Sequence, residues 1–361
     1  MNISKIKSII KTLSINIVTF IVLIFIINWL CGLFLKSTKT AGREALPNYK
    51  QNPELAKAIF KDYNSLKHQY EPFVEWKVLS YTGTTTHVDE KGFRVHTPSA
   101  SSTDSSTSVF FFGGSTMWGE GSDDQHTIPA LFNTLNPNYK VNNQGQLAYN
   151  SRQELDGLIN LYSKNAKADV VIFYDGVNDA AFLCPSEIED LPSHRLVPLF
   201  RSKLYVERSS FVKEALTKTF AENIIKIINK YSSKKKDSKP LYNCLGEKGK
   251  AEEIADIMIK NWEMAHELVT NRGGKFIAIL QPAAFIGHPK VDYLTFDEEL
   301  GKNFSNVYKH IKEKIKAKNY NWVYDLSDKF DRDEYIYIDF CHVSPNGNQI
   351  IAEEINEIVK K

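Results

Sequence analysis

The chain has 361 residues, of which 42% are hydrophobic and 24% charged, so it is long and apolar enough to fold around a sizeable core. The formal net charge of +2 is close to neutral and excludes the basic balance typical of nucleic-acid binding. Four cysteines occur without Cys-x-x-Cys spacing, which argues against a structural zinc site. Cys184 and Cys244 lie in one irregular region, where a disulfide and two free buried thiols both fit the sequence.

An N-terminal run of residues is almost entirely apolar. Residues 13–35 exceed the ~20 residues needed to cross a bilayer and the roughly 7–15 of a signal-peptide core. A buried core helix is disfavoured because the run has no polar face. The sequence therefore predicts a single transmembrane helix after a cytoplasmic tail, residues 1–12. Basic residues flank both ends almost equally, so the short tail and the large size of the following domain favour an orientation with that domain outside the cytoplasm, in the periplasm or at the cell surface.

Residues 36–107 are predicted to form a juxtamembrane linker and an N-terminal extension. Within this stretch, residues 53–70 have helical spacing, and residues 73–96 have the pattern of short strands separated by turns.

Residues 108–361 alternate between short apolar strands and helices. The predicted strands are Val109–Phe112, Tyr139–Asn143, Val170–Tyr174, Phe276–Leu280 and Trp322–Leu326. The predicted helices are Ile128–Leu135, Gln153–Tyr162, Ala251–Val269, Leu300–Ile315 and Asn348–Val359. This alternation predicts an α/β domain, a flavodoxin-like three-layer α/β/α fold with a five-stranded parallel sheet. Residues 180–250 interrupt it and are predicted to be an insertion, a candidate lid or substrate-selecting cap.

Three common motifs are broken or missing at the end of the first strand. Gly114 and Gly119 have the spacing of a P-loop, but Glu120 occupies the position of the phosphate-binding lysine. Gly119 and Gly121 begin a dinucleotide-binding pattern, but Asp124 replaces its third glycine. The Gly-x-Ser-x-Gly elbow of α/β-hydrolases is absent. What remains at this strand end is a serine.

Ser115 follows the first strand, where a hydroxyl can project from the upper edge of the sheet. Serine is a poor nucleophile at neutral pH and needs a base. Near the C-terminus, Asp339 precedes His342 by three residues, so it can accept the Nδ1–H and leave Nε2 free. Taken singly, a capping serine and a surface Asp–His pair also fit these positions. Together they predict a catalytic set of Ser115, Asp339 and His342.

Acyl transfer also needs donors for a developing oxyanion. The backbone N–H groups of Ser115 and Gly145 and the side-chain amide of Asn178 lie at the ends of the first three strands. These strand ends converge in a parallel sheet, so we expect the three donors to form an oxyanion hole. A plain turn at Asn178 is the simpler alternative.

These pieces, in this order, resemble the SGNH hydrolase superfamily, the GDSL-type esterases, as a membrane-anchored member. The resemblance lies in four blocks. They are Phe112-Gly113-Gly114-Ser115-Thr116, Asn143-Gln144-Gly145-Gln146, Gly176-Val177-Asn178-Asp179 and Asp339-Phe340-Cys341-His342. The resemblance covers residues 108–361 apart from the insertion. The sequence departs from the family at Gly114, where many members have Asp, and at Ala148, which replaces a frequent second glycine.

The resemblance implies a serine esterase or acyltransferase in which Ser115 is the nucleophile, His342 the base and Asp339 its orienting partner. Ser115, Gly145 and Asn178 would form the oxyanion hole, and no metal or organic cofactor is implied. Membrane-tethered members resemble enzymes that add or remove acetyl groups on cell-surface polysaccharides, so the expected partners are a membrane and an acylated saccharide, not nucleic acid. A lysophospholipase or thioesterase and a non-catalytic envelope scaffold remain alternatives.

Overall fold

The computed structural model describes residues 3–37, 42–96, 107–202, 217, 220–231 and 242–361. It divides into two compact units. One comprises Met1–Ala41 with Ser202–Lys239, and the other comprises Gly42–Arg201 with Pro240–Lys361.

The first unit is built on the apolar N-terminal helix. Helix α1 (Ile3–Ser37) is long and apolar enough to cross a membrane, and the predicted span 13–35 lies inside it. Residues 3–12 of the predicted tail continue the same helix. A second helix of this unit, α8 (Glu222–Tyr231), contacts α1. There, the backbone N–H of Asn223 donates to Asn28 Oδ1 at 2.8 Å, so a polar residue of the apolar run is hydrogen-bonded.

The second unit contains the predicted sheet. Its strands are β5 (Ser108–Gly113), β6 (Lys140–Asn143), β7 (Val170–Asp175), β8 (Lys275–Leu280) and β9 (Val323–Asp325). All neighbours pair in parallel in the order β6-β5-β7-β8-β9. If the five strands of this sheet are numbered 1 to 5 in chain order, their order in the sheet is 2-1-3-4-5, as in flavodoxin-like folds. The predicted fold class is therefore confirmed.

Helices cover both faces of the sheet. In chain order the remaining helices are α2 (Pro53–Tyr63), α3 (Ser115–Trp118), α4 (Ile128–Leu135), α5 (Ser151–Ser163), α6 (Val177–Leu183), α7 (Val197–Ser202), α9 (Lys250–Thr270), α10 (Glu298–Lys318) and α11 (Pro345–Lys360). Successive strand residues point to opposite faces, so Phe110 and Phe112 pack with the cluster of α5, α9 and α10, whereas Val109 and Phe111 pack with that of α4 and α11. The three layers follow from this alternation.

Residues 42–96 pack into the same unit as the sheet, although the sequence set them apart as a linker and extension. Helix α2 ends at Tyr63 and does not continue to residue 70 as predicted. Instead β1 (His68–Glu71) pairs antiparallel with β2 (Glu75–Val78), so the backbone groups of residues 68–70 bond across this hairpin and not within a helix. Two shorter strands, β3 (Tyr81–Thr82) and β4 (His87–Val88), form a second hairpin.

The predicted insertion, residues 180–250, is only partly described, since residues 203–216, 218–219 and 232–241 lie outside the described part. A disulfide joins Cys184 to Cys244. Of the two alternatives that the sequence left open, a disulfide and two free thiols, the structure has the disulfide. The bonded pair belongs to the unit of the sheet, whereas the intervening α8 belongs to the unit of α1. A lid or cap role for the insertion stays a prediction.

Candidate active site

Ser115 lies where the first strand of the sheet turns into a helix. Strand β5 ends at Gly113, and Ser115 is the first residue of the short helix α3. The side chain is buried, and its Oγ lies 2.6 Å from Nε2 of His342, a residue 227 positions further along the chain. The fold therefore places a hydroxyl within hydrogen-bond reach of a potential base.

Asp339 holds the other ring nitrogen of His342. Its Oδ2 lies 2.7 Å from His342 Nδ1, and its Oδ1 accepts the backbone N–H groups of Cys341 at 3.0 Å and His342 at 2.8 Å. Burial alone would raise the pKa of Asp339, but the charge and hydrogen bonds of His342 hold that pKa below its usual range. The carboxylate is thus ionised and fixed in position, which favours a proton on Nδ1.

Asn178 comes close to the same strand end. It follows β7 after Gly176, whose φ of 120° is a conformation that side chains rarely adopt. Its Nδ2 donates to the backbone carbonyl of Tyr149 at 2.5 Å, and a Cβ added to Gly114 would lie 2.2 Å from that nitrogen. The side-chain amide of Asn178 therefore lies directly beside the turn that carries Ser115.

Gly145 is placed differently from the prediction. Its N–H donates to Asn143 Oδ1 at 2.9 Å, which leaves it no proton for an oxyanion. A Cβ at this position would lie 2.6 Å from the backbone nitrogen of Trp118, so glycine is required for close packing. The expected close backbone approach is present, but it is directed at Trp118 and not at a substrate.

Ala148 has the backbone conformation that glycine usually supplies. Its φ is +63°, and within the described residues neither its N–H nor that of Ser115 donates to a protein acceptor. The sequence marked Ala148 only as a departure from the second glycine of the family pattern. Its N–H is thus a better candidate than that of Gly145 for a donor at this strand end.

Two charged residues that the sequence did not assign to the site lie against it. Glu120 is 4% exposed, and its Oε2 lies 3.0 Å from His342 Nε2. Arg43 donates from Nη1 to Glu120 Oε1 at 2.6 Å and to Asp339 Oδ2 at 2.9 Å. For Glu120 the sequence did contain a signal, because a charged residue stands between Gly119 and Gly121 shortly after Ser115. For Arg43 no signal existed, because its partners are 77 and 296 residues away.

Arg94 fixes the loop that carries Glu120. This fully buried guanidinium donates to the carbonyls of Gly119 and Ser122, each at 2.6 Å, and pairs with Asp124 at 2.9 Å. Satisfying backbone carbonyls in this way holds an irregular loop in one conformation. The position of Glu120 is therefore set by the surrounding structure.

Metal-ligating atoms are close together at one place in the described residues. The ligand atoms of Asp339, Cys341 and His342 lie within 4.8 Å of one another. Both ring nitrogens of His342 already have partners in Asp339 and Ser115, and burial raises the pKa of the Cys341 thiol to about 12. A thiolate ligand is thus disfavoured, and the group is better suited to proton transfer than to holding an ion.

Three buried carboxyl groups lie next to this strand end. Asp179 follows Asn178 and accepts the N–H of Ser151 at 3.1 Å, and Asp175 accepts Trp262 Nε1–H at 2.6 Å. Burial raises the pKa of Asp175 to about 6 and that of Asp179 to about 7, and raises the pKa of Glu154 well above its usual value. Among the described residues no positive partner of these carboxyls offsets the burial, so the group holds protons at pH values where exposed carboxyls are ionised.

The most prominent cavity among the described residues lies away from these side chains. It has a volume of about 1010 Å³ and lies at the sheet edge between β6 and α5. Neither Ser115 nor His342 lines it. The catalytic candidates Ser115 and His342 are therefore separate from this cavity.

No family model matches the sequence, and no curated protein matches it. Solved structures of lipolytic proteins and esterases are similar to it. A lipolytic protein of the G-D-S-L family from Veillonella parvula is 11% identical, with 71% of this chain and 100% of that chain covered and a TM-score of 0.40. A carbohydrate acetylesterase from Sinorhizobium meliloti is 14% identical, with 70% and 98% covered and a TM-score of 0.40. A putative arylesterase from Agrobacterium tumefaciens is 13% identical, with 70% and 98% covered and a TM-score of 0.38. At this level of similarity, the roles of individual residues rest on the geometry above.

Proposed function

We propose that this chain is a membrane-anchored serine esterase of SGNH type. The observation that carries the proposal is the chain of contacts from Ser115 Oγ to His342 Nε2, at 2.6 Å, and from His342 Nδ1 to Asp339 Oδ2, at 2.7 Å. A nucleophile, a base and a group that orients the base are the parts that acyl transfer through a serine requires.

The mechanism follows from which atoms are in reach. His342 Nε2 takes the Ser115 proton as Oγ bonds to the ester carbonyl carbon, and the carbonyl oxygen becomes an oxyanion. The N–H groups of Ser115 and Ala148 and the amide of Asn178 are the proposed donors to that oxyanion. The imidazolium then gives its proton to the leaving alcohol, and the acyl group stays on Ser115. Water, or a hydroxyl of an acceptor, releases the acyl group by the same steps in reverse order.

The proposed substrate is an acyl ester, preferably acetyl, on a cell-surface saccharide, with removal or transfer of the acyl group both open to this chemistry. A long acyl chain would need an apolar tunnel beside the nucleophile, and the cavity of about 1010 Å³ is lined by neither Ser115 nor His342. Comparing release of acetate from acetylated polysaccharide with hydrolysis of lysophospholipid tests this part. Turnover of lysophospholipid alone would replace it with the lipase alternative.

The proposed location is a membrane, with α1 as the anchor and the catalytic unit outside the cytoplasm. The length and apolar composition of α1 support the anchor. The bond between Cys184 and Cys244 supports an oxidising compartment, because such bonds are rare in the cytosol. A C-terminal reporter that is active only in the cytoplasm would overturn this orientation.

The central experiment is labelling of the full-length chain in detergent with a fluorophosphonate probe, which reacts with activated serines. We expect stoichiometric labelling at Ser115, loss of labelling in Ser115→Ala, and retention in Ser327→Ala. Ser327 is a more deeply buried serine that follows β9 of the same sheet and accepts a hydrogen bond from Lys312, so it controls for loss of a buried hydroxyl. A correctly folded native chain that takes up no probe would overturn the proposal and favour a scaffold role.

A further inference from the structure

Glu120 contacts the nitrogen that the proposed mechanism uses as its base. Its Oε2 lies 3.0 Å from His342 Nε2, which is also 2.6 Å from Ser115 Oγ. The Glu120 side chain is buried, and its backbone N–H donates to the Ser115 carbonyl at 3.0 Å, which ties it to the turn of the nucleophile. His342 therefore has a carboxylate at each ring nitrogen, Asp339 at Nδ1 and Glu120 at Nε2.

The position of protons decides whether the contact with Glu120 is attractive. A neutral imidazole that donates Nδ1–H to Asp339 has only a lone pair on Nε2. An ionised Glu120 also offers only lone pairs. A contact of 3.0 Å is thus favourable only when a proton lies between the two atoms, either on the carboxyl or on the imidazole.

Arg43 keeps that proton on the imidazole. Its Nη1 donates to Glu120 Oε1 at 2.6 Å, and the guanidinium lies 4.8 Å from the ring of Phe60 and 5.5 Å from that of Tyr63. A charge-assisted hydrogen bond of this kind stabilises the ionised carboxylate. Burial would raise the pKa of Glu120, but the charges of His342 and Arg43 lower it below the usual value.

The charges of the whole group give the same result. The groups that face His342 from the surrounding elements are Arg43, Tyr49, Tyr63, Glu120, Asp339 and Cys341. Burial raises the pKa of both tyrosines and of the cysteine, so these three are uncharged. Two carboxylates and one guanidinium leave one uncompensated negative charge, and protonation of His342 neutralises it.

We propose that Glu120 is a second carboxylate partner of His342, which accepts the Nε2–H of the resting imidazolium and so sets the pH above which Ser115 can be activated. This inference rests on the proposed function, because it concerns the base of that reaction. Glu120 acts through His342 and is a positioning residue.

The reaction then begins with release of one proton from Nε2 to solvent. The neutral imidazole takes the Ser115 proton as Oγ bonds to the acyl carbon, and Nε2 later gives this proton to the leaving oxygen. Glu120 stabilises the imidazolium in both states. It therefore makes His342 a stronger base and, for the same reason, delays the release of the first proton to higher pH.

Glu120→Gln tests these two linked effects. A glutamine keeps the shape, removes the charge and can donate to the lone pair of a neutral Nε2. We expect the acidic limb of the pH profile of kcat/KM for a p-nitrophenyl ester to move down by at least about one pH unit. We expect the alkaline plateau to fall by a smaller factor, because a weaker base transfers protons more slowly. The variant should thus be faster than the native chain near pH 6 and slower near pH 9.

Substitution of Arg43 should move the acidic limb of the pH profile in the direction opposite to Glu120→Gln. Arg43→Gln leaves two carboxylates facing the imidazole without their shared cation, so the acidic limb should move to higher pH. Arg43→Lys keeps the charge and should leave the limb nearly in place. Glu154→Gln is the matched control, since it makes the same substitution at a fully buried glutamate that is not a partner of His342.

A second measurement separates this inference from the proposed function. Diethyl pyrocarbonate modifies a histidine only when its imidazole is neutral, so the pH dependence of His342 modification, followed by peptide mass spectrometry, reports its protonation without turnover. We expect modification at lower pH in Glu120→Gln. Absence of fluorophosphonate labelling together with this shift would overturn the function alone. An unshifted modification profile in a folded variant, or activity lost equally at all pH values, would overturn the role of Glu120.

Discussion

Asp339→Asn removes the charge that orients His342 while keeping the shape of the side chain. Asp339 Oδ1 accepts two backbone N–H groups, and an asparagine Oδ1 can go on accepting them. The atom facing His342 Nδ1 at 2.7 Å then becomes an NH₂ donor. Nδ1 must become the acceptor, the ring proton moves to Nε2, and the lone pair that should take the Ser115 proton is gone.

The expected loss of activity follows from the move of the ring proton from Nδ1 to Nε2. The substitution leaves the oxyanion donors in place but abolishes the productive tautomer and the charge that stabilises the imidazolium. For a catalytic set of this kind the loss is on the order of 10⁴ in kcat, which corresponds to about 5 kcal/mol of transition-state stabilisation. KM should change little, because Asp339 is not expected to contact the substrate.

The assay is the rate of fluorophosphonate labelling and of p-nitrophenyl acetate hydrolysis, with circular dichroism to confirm folding. Asp297→Asn is the control, because Asp297 Oδ1 accepts the N–H groups two and three residues later, as Asp339 does, but at an exposed helix start without a histidine. We expect that variant to keep native rates. A folded Asp339→Asn chain that labels within about tenfold of the native rate would refute the assignment of Asp339.

Other substitutions test separate parts of the structure. Asn178→Ala should lower kcat by about 10²–10³ with little change in KM, measured on the same ester, if its amide donates to the oxyanion. Replacing Cys184 and Cys244 by Ala should lower the free energy of unfolding by about 4 kcal/mol in a denaturant titration, given a sequence separation of 60 residues. Glu154→Gln should raise stability at about pH 8, because burial raises the pKa of this carboxyl, which has no cationic partner among the described residues, and the folded state loses stability as pH rises towards that pKa. This gain should shrink towards about pH 5, and an equal gain at both pH values would contradict it.

The sheet could be predicted because its strands are buried on both faces. A segment such as Val170–Tyr174 is apolar throughout, which distinguishes a parallel strand from the alternating pattern of a half-exposed one. Once the strands are in parallel order, their carboxyl ends fall at one edge, so Ser115 and Asn178 are near each other whatever lies between them in the chain. Residues 42–96 were harder, since their short hairpins depend on partners elsewhere in the unit.

The identity of individual donors could not be predicted, because it depends on single hydrogen bonds. Gly145 and Ala148 are three residues apart in one loop, and both have reasons to be glycine. Only the contact from Asn143 Oδ1 determines that the N–H of Gly145 is occupied. The local sequence does not determine which of two neighbouring backbone N–H groups will donate to a given side chain.

The carboxyl groups of Glu120 and Asp339 differ from that of Glu154 in the cations they face, and this difference sets their protonation. Glu120 and Asp339 share Arg43 and His342, so both have lowered pKa values and stay ionised. Glu154 is buried more deeply than either but has no cation among the described residues, and its pKa is raised. Burial alone would have made all of them neutral. The ionised pair at His342 therefore depends on Arg43, which contacts both carboxylates. A chain without that guanidinium would keep Ser115 and His342 but lose the cation that holds Glu120 ionised beside the imidazole.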